Sequence, residues 1–364
     1  MTLNMVFERR GTGMSILDIR HNFVVKARSP LRLGFAGGGT DVSPYCDEYG
    51  GNVLNATIDR YTYCVLTNSD GVGIKFESTD LGVIEEYHLD DEILAIGPLD
   101  LLKAVYLAFI QRYFNGQRFP VRVCTFCDSP MGSGLGSSST LVVTIIKAFC
   151  ELLNIPLDDY DIAAFSFQVE RIQCGHQGGR QDQYSATFGG FNFMEFDANN
   201  RAIITPLRIK NWIICNLEAS LLLFYSGHSR KSALIIADQA EKIKAKDKFS
   251  IEAMHGIKAE ALIMKESLLR GDFETFVNCL RTGWEHKKNS SSIVSNHLLD
   301  SIFNTAIKAG ALAGKASGAG GGGFMMFFVP VEKRMNVINS LKDFNGQVSN
   351  CHFTRDGTQS WSIR

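Results

Sequence analysis

The stretch "SPMGSGLGSSST", residues 129–140, packs three glycines and a run of serines between a strand-like apolar segment and a long amphipathic run. Residues of this kind are poor core material and good anion-binding material. Glycine lets the backbone approach a charged group with no Cβ in the way. Successive N–H groups of such a turn point into one concavity, and a following helix adds its own unpaired N–H groups and the positive end of its dipole. Serines at the helix start supply hydroxyl donors or a metal ligand. The chemistry this loop suits is the holding of an oligophosphate.

Two better-known phosphate loops do not fit. A Walker loop needs G-x-x-x-x-G-K-[ST], and the nearest text, "AGALAGKAS", has Ala309 where the first glycine belongs and Ala316 after Lys315. A dinucleotide fingerprint G-x-G-x-x-G fails in the 129–140 loop because Ser137 stands at the last position. It does fit Gly318, Gly320 and Gly323, but those precede the strand-like "FMMFFV" instead of a helix. Cys124 and Cys127 form a C-x-x-C with no second pair at a zinc-like spacing, and read as thiols of a strand. Cys174 and His176 are too isolated for a metal site.

The elements that must position the loop follow from periodicity. "FVVKA", "NVLNATIDRYTYCVLT", "GIKFES", "VIEEYHL" and "FPVRVCTFCD" read as strands, and "DLLKAVYLAFIQRYF" (100–114) has helical spacing. The loop therefore sits between a strand and the helix "STLVVTIIKAFCELLN" (139–154), with a second helix from about Asp159 through "YDIAAFSFQVERIQCG". Residues 229–290 read as mostly helical, with "EKIKAKDK" as a solvated face. The last region reads helix (298–309), glycine loop (317–323), strand, helix (331–342) and closing strand. Strands and helices come in blocks, which predicts an α+β fold of two domains divided near residue 205: a tail 1–20, a first domain 21–205 and a second 206–364.

At 364 residues there is room for two ordinary domains. A net charge of −1 leaves no electrostatic footprint of a nucleic-acid or membrane-surface binder, so neither partner is expected. Nine scattered cysteines suit reduced thiols, the N-terminus lacks a signal-peptide pattern, and no run approaches 18 apolar residues; the expected location is the cytoplasm.

Three ordered motifs carry a resemblance. "PMGSGLGSSS" resembles the P-x-x-x-G-L-G-S-S-[AS] loop of the GHMP kinases, "RLGFAGGGTD" their N-terminal substrate motif, and "KASGAGGGGFMMFF" their C-terminal glycine-rich motif. The resemblance spans residues 26–328 and implies a ribosomal-S5-like N-terminal domain, a ferredoxin-like C-terminal domain and phosphoryl transfer from ATP, with Mg²⁺, to a small-molecule hydroxyl. Within the family, "RSPLRLGFAGGGTDVSPYCDEYGGNVLNATIDRY" and "GGRQDQYSATFGGFNFMEF" are most similar to sugar-1-kinases acting on D-glycero-D-manno-heptose 7-phosphate, which serve nucleotide-heptose and surface polysaccharide synthesis. L-fucose kinases come next, and a catalytically silent sugar and ATP sensor on the same fold is the alternative from another class. A homodimer is compatible with all three.

The resemblance also implies residue roles. Pro130, Gly132, Ser133, Gly134, Leu135, Gly136, Ser137, Ser138 and Ser139 would cradle ATP. Ser138 and Glu170 would hold the metal, against a helix-capping serine and an ion-pairing glutamate beside Arg171. Asp182 would accept or orient the proton of the attacking hydroxyl, against a turn aspartate, and Arg32 would stabilise charge on the phosphoryl group in transit, against a surface arginine. Gly38, Gly39, Thr40 and Asp41 would meet the sugar, and Gly320 and Gly321 would close on it or on the nucleotide. A phosphate on the acceptor would need cations, for which Arg180, Arg230 and Lys231 are candidates, with Lys287 and Lys288 weaker.

Overall fold

The computed structural model describes residues 22–69, 71, 73–198, 201–227 and 232–363. Apolar alternation along "VVKARSPLRLGFA" forms β1 (Val24–Ala36), whose first half buries every second residue and whose second half is buried on both faces. It pairs antiparallel with the long β2 (Gly51–Thr67). One half of β2 then pairs with β5 (Val121–Cys127) and the other with β6 (Phe191–Phe196). β3 (Gly73–Ser78) lies parallel to β5 and pairs with the edge strand β4 (Val83–His88), while β7 (Ala202–Pro206) flanks β6. The helices α2 (Asp100–Tyr113), α3 (Ser137–Leu153) and α4 (Asp159–Phe167) cover one face. Their Tyr106, Phe109, Phe149 and Phe165 form one core with Val25, Leu66, Phe76 and Val123 of the strands, each side chain contributing about 1.5–3 kcal/mol by leaving water.

The second sheet runs β11 (Gln347–Asn350), β8 (Leu221–Tyr225), β10 (Phe324–Phe328), β9 (Ala313–Ala316), all antiparallel. One face packs on α10 (His297–Ala309) and α11 (Arg334–Ser340). Its other face joins α6 (Asn211–Ser220), α8 (Lys248–Arg270) and α9 (Phe273–Ser290) in a core that also takes in Leu31, Leu33 and Phe35 of β1. The doubly buried half of β1 is thus the seam between the sheets. α7 (Ser232–Lys244) packs beside α8.

The chain is α+β, as its block pattern predicts. Two features depart from the linear reading. The closing strand β12 (Gln359–Ile363) returns to the first sheet and pairs with β1, so the end of the 206–364 segment belongs with the larger sheet. Its register, Val24 opposite Ile363, covers what would be an exposed edge. The helix read from Asp159 is also two pieces: α4 ends at Phe167 and passes into a π-helical turn over Gln168–Gln173.

Candidate active site

Gly136 takes a left-handed conformation (φ 80°), and α3 starts at the next residue, so the helix N-terminus opens directly out of the glycine loop. Hydrogen bonds from β1 and from the second glycine loop fix it. Arg32 N–H donates to the Leu135 carbonyl (3.0 Å), Phe324 N–H to the Ser133 carbonyl (2.8 Å), and the Ser317 hydroxyl to the Gly134 carbonyl (2.9 Å). The second glycine loop, from the far sheet, therefore docks on the first. Gly134 (φ +82°) must be glycine for this: a Cβ there would sit 2.6 Å from the Ser317 carbonyl oxygen, and one on Gly318 would sit 2.8 Å from Gly134 Cα.

A cavity of about 730 Å³ lies between these loops, the start of α3, the turn after β1, α7 and the end of α9. Two residue pairs face it. The Arg32 guanidinium bonds both oxygens of Asp182, Nε to Oδ1 at 2.7 Å and Nη2 to Oδ2 at 3.0 Å, while Nη1 bonds the Gly134 carbonyl at 2.6 Å. One arginine thus connects the phosphate-type loop to the carboxylate. At the other end the Ser138 hydroxyl donates to Glu170 Oε1 at 2.7 Å. The π-helical turn places Glu170 there, fully buried, and such turns recur at functional sites. Gln183 Nε2 donates to its Oε2 (2.7 Å), and Arg171 lies 3.1 Å from its Oε1. Both the ion pair with Arg171 and the approach to Ser138 exist together. Two hard oxygens converging at the cavity wall fit a magnesium ion, which keeps much of its water shell.

Asp182 sits in the first turn of α5 (Gln181–Phe188), a helix with no cap of its own. Asp41 supplies one from the β1 turn: its Oδ2 accepts the N–H groups of Arg180 (2.9 Å) and Gln181 (3.0 Å), and its Oδ1 accepts Gly39 N–H (3.1 Å) and Gln181 Nε2 (3.3 Å). A Cβ on Gly179 would overlap that carboxylate. Asp41 lies in the cavity wall, 1% exposed and with all four acceptor positions filled from within the chain, so it orients the helix that carries Asp182.

Of the other sequence candidates, Gly132, Gly136, Ser137, Ser139, Gly38, Gly39 and Gly320 line the cavity. Several do not. Thr40 is buried, with its hydroxyl donating to the Gly37 carbonyl (2.7 Å) and accepting Asn52 N–H (3.1 Å), which closes the β1–β2 connection. Arg180 points away from the cavity: its guanidinium lies over Phe167 and 3.6 Å from Asp47. Gly321 turns inward, its N–H on the Val294 carbonyl (2.7 Å). Leu135 and Ser133 are buried under the loop and Pro130 is exposed outside the wall. Arg230 and Lys231 lie outside the described residues.

The sequence reading passed over Gln181 and undervalued Lys287. Gln181 lines the cavity, with a buried Oε1 that has no hydrogen-bond partner among the described residues, and sits next to Asp182 in "GGRQDQY". Lys287 continues the buried stripe Phe276, Leu280, Trp284 of α9, and a lysine on an apolar helical face is the signal that would have ranked it higher. Burial and the neighbouring Arg32 charge push its ammonium down to about 8. Lys288 instead pairs with Glu285 on the outer side.

Models of the GHMP kinases N terminal domain and GHMP kinases C terminal match residues 100–190 and 264–345. The chain is 47% identical over 339 residues to the D-glycero-alpha-D-manno-heptose 7-phosphate kinase of Campylobacter jejuni, covering 93% of this chain and 99% of that one. The chain belongs to the GHMP kinase family. A crystal structure of a D-glycero-D-manno-heptose 1-phosphate kinase from Bacteroides thetaiotaomicron superposes with a TM-score of 0.79 at 39% identity, over 93% of this chain and 99% of that one. The L-fucokinase/L-fucose-1-P guanylyltransferase of Bacteroides fragilis is 27% identical over 85% of this chain, but this chain spans only 35% of it. As a GHMP kinase the protein is a phosphotransferase with ATP as donor. No helix among the described residues is long and apolar enough to cross a membrane.

Proposed function

We propose that this kinase phosphorylates the anomeric hydroxyl of D-glycero-D-manno-heptose 7-phosphate, giving the 1,7-bisphosphate and ADP. The observation that carries the acceptor is the 47% identity to a heptose 7-phosphate kinase across nearly the whole of both chains. The residue pairs facing the cavity support the transfer chemistry.

In this reading the backbone of Gly132, Gly134 and Gly136 and the N-terminus of α3 hold the ATP phosphates. Ser138 and Glu170 hold magnesium, which when bound neutralises phosphate charge. Arg32 occupies one lone pair on each Asp182 oxygen, which leaves a second on each to receive the proton of the sugar hydroxyl. The O1–Pγ bond forms as the Pγ–O bond to ADP breaks, and the proton passes to Asp182. The Arg32 charge, 4% exposed and fixed by the Gly134 carbonyl, is already in place where negative charge shifts during transfer. Asp41 holds Asp182 in position through the start of α5.

The test is ATP turnover on paired acceptors, heptose with and without its 7-phosphate, followed by NMR of the product. Phosphate appearing at C1 of the 7-phosphate alone supports the reading; faster turnover on a free sugar such as L-fucose replaces the acceptor. Glu170→Gln is expected to raise the magnesium concentration needed for half-maximal rate by about tenfold or more, since a neutral amide is a weaker ligand for a hard cation.

A further inference from the structure

Lys287 is 5% exposed, at the end of the apolar stripe of α9, where its side chain forms part of the cavity wall. Its ammonium donates to the Gly318 carbonyl, the one acceptor it has among the described residues. An ammonium carries three N–H donors, so two are left without a protein partner. A Cβ on Gly38 would come within 3.9 Å of Nζ, which places the ammonium between the turn after β1 and the second glycine loop. Gly318, whose carbonyl it holds, rests on Gly134, whose carbonyl Arg32 holds. Two buried cations therefore flank the meeting point of the loops. Arg32 is matched by Asp182; no ion pair among the described residues includes Lys287.

A buried charge without a counter-charge is costly, and a ligand that supplies the counter-charge would remove that cost. We propose that Lys287 is a phosphoryl-binding residue, its two spare N–H groups bonding phosphoryl oxygens where the donor cradle meets the acceptor pocket. The proposal rests on the kinase reading above. The phosphoryl group has two sources, the γ-phosphate of ATP or the phosphate already on the acceptor.

The surrounding charges agree. Burial and Arg32 lower the Lys287 pKa, while Asp41 and Asp182 act in the opposite direction. Behind it the buried Lys315 of β9, which donates to the Phe35 carbonyl (3.0 Å), is pushed down to about 7 by burial and then by the charge of Lys287, with Glu260 opposing. A phosphoryl dianion between Lys287 and Arg32 would favour the charged lysine, so binding should take up protons near pH 8 and weaken as pH rises above it.

The test measures equilibrium binding by calorimetry for wild type, Lys287→Met and Lys287→Gln. The probes are magnesium with the β,γ-imido analogue of ATP, heptose 7-phosphate alone, and unphosphorylated heptose. Glutamine keeps a donor for Gly318 and removes the charge. Both variants are expected to bind one phosphorylated probe about 10- to 100-fold more weakly, with heptose unchanged and with the proton uptake lost. Loss on the nucleotide alone identifies the γ-phosphoryl group; loss on heptose 7-phosphate alone identifies the acceptor's phosphate. Wild-type binding of both phosphorylated probes by Lys287→Gln overturns the proposal and makes Lys287 a tether for Gly318. Equal loss of unphosphorylated heptose also overturns it, as general damage to the site. Should Lys287→Met fail to fold, Lys287→Arg replaces it: retained binding there beside loss in Lys287→Gln supports the charge, and loss in both overturns it. Wild type binding the nucleotide analogue but neither sugar would end the heptose assignment, while the nucleotide arm still decides Lys287.

Discussion

At the scale of single residues, the carboxylates of Asp182 and Asp41 have separable jobs that kinetics can resolve. Asp182→Ala removes the group facing the reacting hydroxyl. It is expected to lower kcat by about 10²- to 10⁴-fold with binding of the ATP analogue kept, since a positioned proton acceptor contributes on that order. Asp41 accepts four internal donors and caps α5. Asp41→Asn turns an NH₂ toward backbone N–H groups and is expected to cost about 1–2 kcal/mol of stability, as a lost cap does, with a fall in kcat. A direct sugar ligand would instead raise KM for the sugar and leave the melting temperature alone. The two roles were unequally legible in sequence. Asp182 lies in a motif with a recognisable order, whereas the saturation of Asp41 depends on α5 arriving 139 residues later.

At the scale of elements, the site depends on the contact between two glycine loops from different sheets. Gly318→Ala needs its Cβ to sit 2.8 Å from Gly134 Cα and O, so one loop must move. The expected result is weaker binding of the ATP analogue by about tenfold and a lower melting temperature, read by calorimetry and a thermal melt. Each loop is visible in sequence because glycine clusters and serine starts are local signals. Their docking is not, because Ser317–Gly134 and Phe324–Ser133 join residues far apart in the chain. The π-helical turn that delivers Glu170 was equally hidden: "FSFQVERIQ" keeps helical spacing, and the wider turn is set by packing around Glu170, Gln183 and Arg171. Arg180 misled for a related reason. Its charge made it a candidate for the acceptor's phosphate, but at the start of α5 its guanidinium is taken up by the Phe167 ring and Asp47.

At the scale of the whole molecule, β1 is shared by both cores and its outer edge is closed by β12. Removing the chain from Gln359 onward is expected to lower the melting temperature and promote self-association through the uncovered edge of β1, checked by a thermal melt and light scattering. The buried lysines make stability depend on pH with a definite sign. Lys315 is held near 7 and Lys287 near 8, both below the unfolded value, so the unfolded chain binds more protons in this range. Unliganded stability should therefore rise from about pH 7 upward toward the ordinary lysine value, by at most about 1.4 kcal/mol per pH unit per lysine. His176 opposes this, because its hydrogen bond to Asp100 raises its pKa and that stabilisation is lost as pH increases. The comparison with Lys315→Met isolates the lysine: the variant should show a smaller rise. The central claim is that the Arg32–Asp182 pair and the two loops serve transfer of phosphate from ATP to a heptose that already carries one. The measurement that tests it most directly is ADP release with magnesium on heptose 7-phosphate, heptose and L-fucose, with Asp182→Ala alongside. The account predicts turnover on heptose 7-phosphate far above the other sugars and its loss in the variant; equal turnover on free sugars, or full activity in Asp182→Ala, would contradict it.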